Sequence, residues 1–222
     1  MSNIYKKICS FRSVSRFLFA LALFMSAGLA QNYIKPVVLV FTVLGGAYFC
    51  GWLCPFGAIQ EFIGAIGSRV LGKRYRMPES LHKYLQWLRF ILLLLIPLGL
   101  GYLIAFDPQH SIISALSNQT LSYALWSIIG IFIILAFFIE RPFCNYFCIE
   151  GAQYSAFSIA RIFTIHRNMR KCIDCHSCDR ACSMNIKVSK KKSIRAPNCV
   201  NCFKCLAVCP VDALNYGLNL KK

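Results

Sequence analysis

Between Cys172 and Pro210 the chain reads CIDCHSCDRAC, then a lysine-rich spacer, then CVNCFKCLAVCP, and this stretch holds eight of the thirteen cysteines. Each half spaces its cysteines C-x2-C-x2-C-x3-C. At that spacing three thiolates wrap one face of a cubic iron–sulfur cluster and the fourth reaches the neighbouring cluster. The pattern predicts two [4Fe-4S] clusters, one on Cys172, Cys175, Cys178 and Cys209, the other on Cys199, Cys202, Cys205 and Cys182. One pair of C-x2-C units, or a mixed Cys and His set, is enough for zinc. A disulfide scaffold has no reason to repeat its spacing within one short segment. Two complete quartets favour clusters over both.

The segment resembles the bacterial two-cluster ferredoxins. Pro210 follows the last cysteine as in their pattern, whereas Ser183 stands where the first quartet would have its proline. Proline is not a ligand, so a softer loop near Cys182 is expected and no lost cluster. The rest of the 222 residues is apolar: hydrophobic residues make up 57% of the chain, and the mean hydropathy is +0.55. That is more than an ordinary soluble domain carries. The formal charge of +17 would suit phosphate neutralisation on a nucleic acid. Here, however, Lys and Arg flank apolar runs, as orientation signals do, and no nucleic-acid partner is expected.

The predicted fold is mainly α: a four-span transmembrane helical domain over residues 1–165, then a small cytoplasmic ferredoxin-like domain with two clusters over residues 166–222. Spans are expected at about 17–34, 37–54, 87–106 and 121–141, each near the roughly twenty residues that cross a hydrocarbon core. The first has signal-peptide features but is long enough to be retained. The loop bearing Arg69, Lys73, Arg74, Arg76, Lys83 and Arg89 is strongly basic, and Asp107 to Thr120 has no Lys or Arg. Positive loops stay inside, which puts both termini and the ferredoxin domain on the cytoplasmic side of a bacterial inner membrane, as a multi-pass protein. Gly151 to Lys171 is expected as an interfacial helix lying on membrane lipid. The spacer Lys187 to Arg195 is a solvated loop that also offers a docking surface to an acidic electron carrier. Lys171, Arg180 and Lys204 lie beside the cysteine loops, where positive charge favours a reduced cluster. Cys9 stands alone and is expected to be an unused thiol.

An internal repeat lies upstream. CGWLCPFGA from Cys50 and CNYFCIEGA from Cys144 align as C-x3-C-x2-G-A, pairing Cys50, Cys54, Gly57 and Ala58 with Cys144, Cys148, Gly151 and Ala152. On a helix, residues four apart share a face, so each pair is expected to present two sulfurs together. The spacing leaves open a further iron–sulfur centre, another metal or a redox disulfide.

A segment ending in C-x3-C-P, a second such pair and a C-terminal two-cluster ferredoxin resemble the NapH/NosR family of membrane-anchored polyferredoxins. Cys50, Cys54 and Pro55 match its first pair, and Cys144 and Cys148 its second, where Ile149 replaces the proline. The large periplasmic flavin-binding domain of the NosR branch has no counterpart, so the shorter NapH type is nearer. The family serves periplasmic nitrate and nitrous-oxide reduction. The resemblance implies an electron-carrier subunit working between the quinone pool and a redox protein such as a reductase, flavoprotein or cytochrome. Relatives that assist oxidase assembly offer an alternative, thiol-based handling or reduction of copper. For a quinone site the sequence gives only Asp107 and His110.

Overall fold

The protein is described from a computed structural model over residues 2–25, 31–73, 75–95, 97 and 123–218. Its helices begin with α1 (Ser2–Met25), α2 (Gln31–Gly45), α3 (Tyr48–Trp52), α4 (Pro55–Val70) and α5 (Glu79–Leu95). They continue with α6 (Tyr123–Phe138), α7 (Pro142–Tyr146) and α8 (Ile149–Ser158). Then come strand β1 (Phe163–Arg167), the short helices α9 (Ser177–Ala181) and α10 (Lys204–Ala207), and strand β2 (Leu214–Leu218). Two compact units result: Met1–Pro55 with Tyr154–Lys222, and Phe56–Gln153.

The four-span expectation is corrected. Among the described residues no helix is long and apolar enough to cross a membrane. α1 has the length, 24 residues, but carries Lys6, Lys7, Arg12 and Arg16, and the last two are buried against protein. α2 stops after 15 residues, where Gly46 takes a φ of 95°. Of the third expected span only 87–95 is described as helix, at the end of α5, which also holds Glu79, Lys83 and a buried Arg89. α6 is apolar but has 16 residues, short of the roughly twenty a span needs. With the spans goes the multi-pass placement in a bacterial inner membrane with both termini cytoplasmic. Asp107, His110 and the loop to Thr120 lie outside the described residues.

The expected interfacial helix over 151–171 is also corrected. α8 ends at Ser158, and the next residues form β1, paired antiparallel with β2 from Phe163 opposite Leu218 to Arg167 opposite Leu214. Phe163, Thr164 and Ile165 are aromatic or β-branched and suit a pleated, half-buried surface. Thr164 and Ile165 are buried, and Ile194 N bonds back to Ile165 O at 2.9 Å. In the first unit, Ile165, Met184, Ile186, Val188, Ile194, Leu206 and Leu214 form the core, with Cys199, Cys205 and Cys209 inside it. Phe203 is ringed by Tyr5, Tyr48, Trp52 and Tyr216, at centroid distances of 5.1–6.1 Å.

The second unit is a helical packing problem solved by small residues and buried polar pairs. Gly64 and Gly67 on α4 face the carbonyls of Ala136 and Phe137 on α6, and a Cβ at Gly67 would overlap the Phe137 carbonyl. Arg141, fully buried in the left-handed region at φ 54°, donates to Glu61 Oε2 at 2.6 Å. Gln60 accepts from Phe143 N at 3.2 Å. His82 Nδ1 and the Tyr146 hydroxyl are hydrogen-bonded at 2.8 Å. Burial, and then the charge of Arg89, holds His82 below its ordinary value, so a neutral imidazole meets the tyrosine.

Gly67→Ala should therefore destabilise the protein by ~1–3 kcal/mol, the usual cost of overpacking. Gly130→Ala, on a helix position with nothing within 4 Å, should stabilise it by up to ~1 kcal/mol through helix propensity. Denaturant midpoints of the two variants check the pair.

Candidate iron–sulfur site

The two cysteine quartets repeat at the level of the backbone. From Cys172 to Cys199 the offset is 27 residues, and the same offset relates every left-handed residue of the first loop to one of the second: Asp174 to Asn201, His176 to Phe203, Asn185 to Asp212. Asp and Asn tolerate that conformation through short polar side chains. His176 and Phe203 adopt it as N-caps of α9 and α10. The short helices then carry Cys178 and Cys205. The last cysteine of each quartet accepts a backbone N–H from four residues on, Ile186 N to Cys182 Sγ at 3.4 Å and Ala213 N to Cys209 Sγ at 3.3 Å.

One cavity is lined by Cys172, Cys175, Cys178 and Cys209, with Ile173, Val211 and Leu214 among its walls. Three of these thiols come from the first half and one from the second. Cys182 stands with the other set: burial first, then the charges of Cys202 and Cys199, push its thiol up to about 12. Cys205 is raised well above the ordinary thiol value by burial and by Cys202, Cys199, Cys182 and, last, Cys178. Cys178 is pushed up to about 11 by burial and Asp179. Exposed Cys175 is lowered instead, chiefly by its hydrogen bonds with Ser177. Thiols crowded out of water in this way ionise only against positive charge, and bound iron supplies it, since a coordinating thiol is deprotonated outright. The donor set thus fits a cluster. Among the described residues no group of three or more His, Cys, Asp or Glu side chains could hold a single metal ion. The four thiolates of a cluster each bind a different iron and so stand farther apart.

The surroundings of the second loop were not legible in the sequence. Arg12 Nε donates to Gly51 O at 2.8 Å and Nη1 to Cys202 O at 3.2 Å, and Arg16 also donates to Gly51 O. Trp52 Nε1 donates to Asn201 O at 3.0 Å, and Asn201 Nδ2 to Gly45 O. A Cβ at Gly51 would overlap the Val200 carbonyl, so only glycine lets α3 press this close. Arg161, 1% exposed, donates to the carbonyls of Ile194, Ala196 and Cys199. Even Cys9 has a partner, its thiol lying 3.7 Å from Cys202 O. Of the charges picked from the sequence, Lys171 and Arg180 are exposed. No spacing marks the buried arginines, whose role appears only once α1 is folded back.

Comparison with known proteins places these features. A family model described as a 4Fe-4S dicluster domain matches residues 164–210, and one described as a 4Fe-4S binding domain matches 34–74 and 121–152. The protein MJ0750 of Methanocaldococcus jannaschii, itself uncharacterized, is 32% identical over 97% of this chain and 88% of its own. YccM of Escherichia coli is 29% identical over 81% of this chain and 54% of its own. The ferredoxin-type protein NapH of Haemophilus influenzae is 27% identical over 82% and 66%. The chain belongs to the NapH/NosR-type family of 4Fe-4S-binding proteins. No solved structure matches it.

In this NapH/NosR-type chain the match to the 4Fe-4S binding domain takes in both C-x3-C pairs. They do not lie along one helix, which corrects the expectation of a shared helical face. Cys50 is in α3 and Cys144 in α7, while Cys54 and Cys148 follow the helix ends. The two copies end alike: Cys54 N bonds Phe49 O at 2.9 Å and Cys148 N bonds Phe143 O at 3.0 Å. The next helix opens on Pro55 in one copy and on Ile149 in the other. Pro suits a first turn and disfavours helix in the residue before it, yet Ile149 does without it. Cys50 and Cys54 belong to the first unit, Cys144 and Cys148 to the second. Cys144 Sγ accepts from Gln60 Nε2 at 3.4 Å, and Cys148 Sγ from Gly151 N at 3.2 Å.

The quartets differ in their most exposed member, since Cys209 is buried with Cys199 and Cys205 while Cys182 and Cys202 are half-buried. Cys175 is exposed, whereas Cys199 and Cys205 are buried. Stepwise exposure of the iron-loaded protein to oxygen should release iron first from the side of Cys175. Iron counts and EPR on samples taken through the oxidation should show an early phase that leaves the centre beside Cys199 intact.

Proposed function

We propose that this chain carries electrons through two [4Fe-4S] clusters in its first unit, one held by Cys172, Cys175, Cys178 and Cys209, the other by Cys199, Cys202, Cys205 and Cys182. The observation that carries the reading is the cavity lined by three cysteines of one half and Cys209 of the other. The electrostatic grouping of Cys182 with Cys199 and Cys202 supports the reciprocal crossing. YccM is named for electron transport and NapH as ferredoxin-type, which favours the same role here.

The clusters supply the one-electron chemistry, and the chain sets its conditions. The backbone N–H groups of Ile186 and Ala213, donating to Cys182 and Cys209, orient the thiolates and temper their charge. The aromatic ring around Phe203 keeps water from the second loop. The partner is a redox protein such as a reductase, flavoprotein or cytochrome. It would dock over Cys175, beside exposed Ile173 and Met169, where Arg170, Lys171 and the lysines of the spacer favour an acidic surface through charge complementarity.

The test is ligand exchange with iron and acid-labile sulfide counted anaerobically. Cys178→Ser should perturb one cluster and Cys182→Ser the other, although both belong to the first half of the sequence. The EPR signals of the two variants should therefore be complementary, with about four of about eight irons affected in each. Zinc in place of iron, or the same cluster affected by both changes, would refute the assignment.

Each C-x3-C pair is proposed to supply thiolates for further iron–sulfur or metal binding. The family match across them and their identical helix-end geometry support this. Cys50→Ser and Cys144→Ser should each lower metal content below that of the intact chain while leaving the ferredoxin EPR signals in place. Unchanged metal in both would reduce the pairs to packing residues.

A further inference from the structure

The two loops share a backbone but not a charge environment. The Cys172 thiol donates to Asp174 Oδ1 at 3.6 Å. At the equivalent place Cys199 donates to Asn201 Oδ1 at 3.4 Å, with the same geometry and no charge. The Cys178 thiol lies 3.9 Å from Asp179 Oδ1. The residue 27 positions on, beside Cys205, is Leu206. Asp179 is fixed in place by the Ser189 amide at 2.8 Å, the Ser189 hydroxyl at 2.5 Å and His176 Nδ1 at 3.3 Å. Two carboxylates next to the first quartet thus become two neutral residues next to the second.

The buried cations differ in the opposite sense, while Arg170, Lys171 and Arg180 beside the first quartet are exposed and screened by water and salt. Arg167 donates to Cys172 Sγ at 3.3 Å and by the same nitrogen to Asp174 at 3.0 Å, so the two charges offset one another, and Asp174→Asn would leave the guanidinium's charge uncancelled beside Cys172. Around the second quartet, Arg161 donates to Cys199 O at 3.5 Å, and Arg12 donates to Cys202 O. Both guanidiniums are buried, where charges are least screened by salt.

From this we infer that the two clusters are unequal in potential, with the buried one, on Cys199, Cys202, Cys205 and Cys182, the higher, and that Asp174, Arg161 and Arg12 are the positioning residues that set the difference. The inference rests on the ligand reading above. Adding an electron adds negative charge, which nearby carboxylates oppose and guanidiniums favour. Burial by itself penalises that charge, but it also strengthens the arginine contacts that offset it. One electron taken from an acidic one-electron carrier at the exposed face, beside Cys175, would pass inward: the outer core loses it, the inner core gains it, and no bond or proton changes. It then rests beside α3 and its C-x3-C segment, which Arg12, Gly51 and Trp52 fasten to that loop.

Reductive titration of the full-length, iron-loaded protein, followed by EPR, tests this. Iron and sulfide counts establish first that both clusters are present; if they are not, the ligand reading fails and not this one. With both present, two midpoints are expected. Arg161→Gln should lower the higher midpoint by about a tenfold change in the reduction equilibrium, about 59 mV for one electron, and leave the lower one in place. Asp174→Asn, an exposed change that spares the fold, should raise only the lower midpoint by a few-fold in the same equilibrium. A single shared midpoint, or Asp174→Asn moving the higher midpoint or neither, would overturn the inference. The Asp174→Asn result decides even if Arg161→Gln does not load iron.

Discussion

Thiols gathered in a protein interior resist ionisation, and everything in the first unit is arranged around that resistance. Burial and neighbouring cysteines drive Cys182 and Cys205 far above the ordinary thiol value. A polycationic iron core is the natural counterweight, because it turns mutual repulsion among four thiolates into shared attraction. The same demand makes the fold small and loop-rich. α9 and α10 have five and four residues, β1 and β2 five each, and so little hydrogen-bonded structure would hold poorly without a centre to close upon. Cys209 of the second half lines one cavity with Cys172, Cys175 and Cys178 of the first, which ties the two halves to each other.

The second constraint is where the loop around Cys199 to Cys205 finds its shell. Its carbonyls are partly claimed by Arg12, Arg161 and Trp52, groups that come from distant parts of the sequence. Each such bond removes a buried acceptor from the unsatisfied state, which would otherwise cost ~1–3 kcal/mol. Gly51 makes the contact feasible, because any side chain would stand in the place of the Val200 carbonyl. α1 and α3 are thereby part of the iron–sulfur unit, although the sequence sets them more than a hundred residues before it.

Electrostatics then distinguishes two otherwise equivalent loops. The repeat preserves each turn, each left-handed residue and each N–H to sulfur bond, while the charged positions diverge. That separation is physically sensible: backbone geometry decides whether a cluster can be held, and side-chain charge around it decides how readily it accepts an electron. A chain that passes electrons needs the first to be constant and the second to vary.

The sequence by itself determined the cysteine spacing, the internal C-x3-C repeat and the membership of a 4Fe-4S family, because ligand spacing acts over a few residues and is written directly in the order of residue types. It also carried the left-handed positions in a readable form where Asp or Asn occupies them. It misled about the spans and about Gly151 to Lys171. Apolar runs and flanking lysines are equally compatible with helices that end early, and Phe163 to Arg167 becomes a strand only because Leu214 to Leu218 is there to pair with it. Arg12, Arg16 and Arg161 could not be picked out, since nothing local marks an arginine whose partners are carbonyls far along the chain. The fold alone set the second loop among buried guanidiniums and left Cys175 of the first at the surface. Those properties depend on which distant segments meet, and burial and charge at a point in space are sums over all of them.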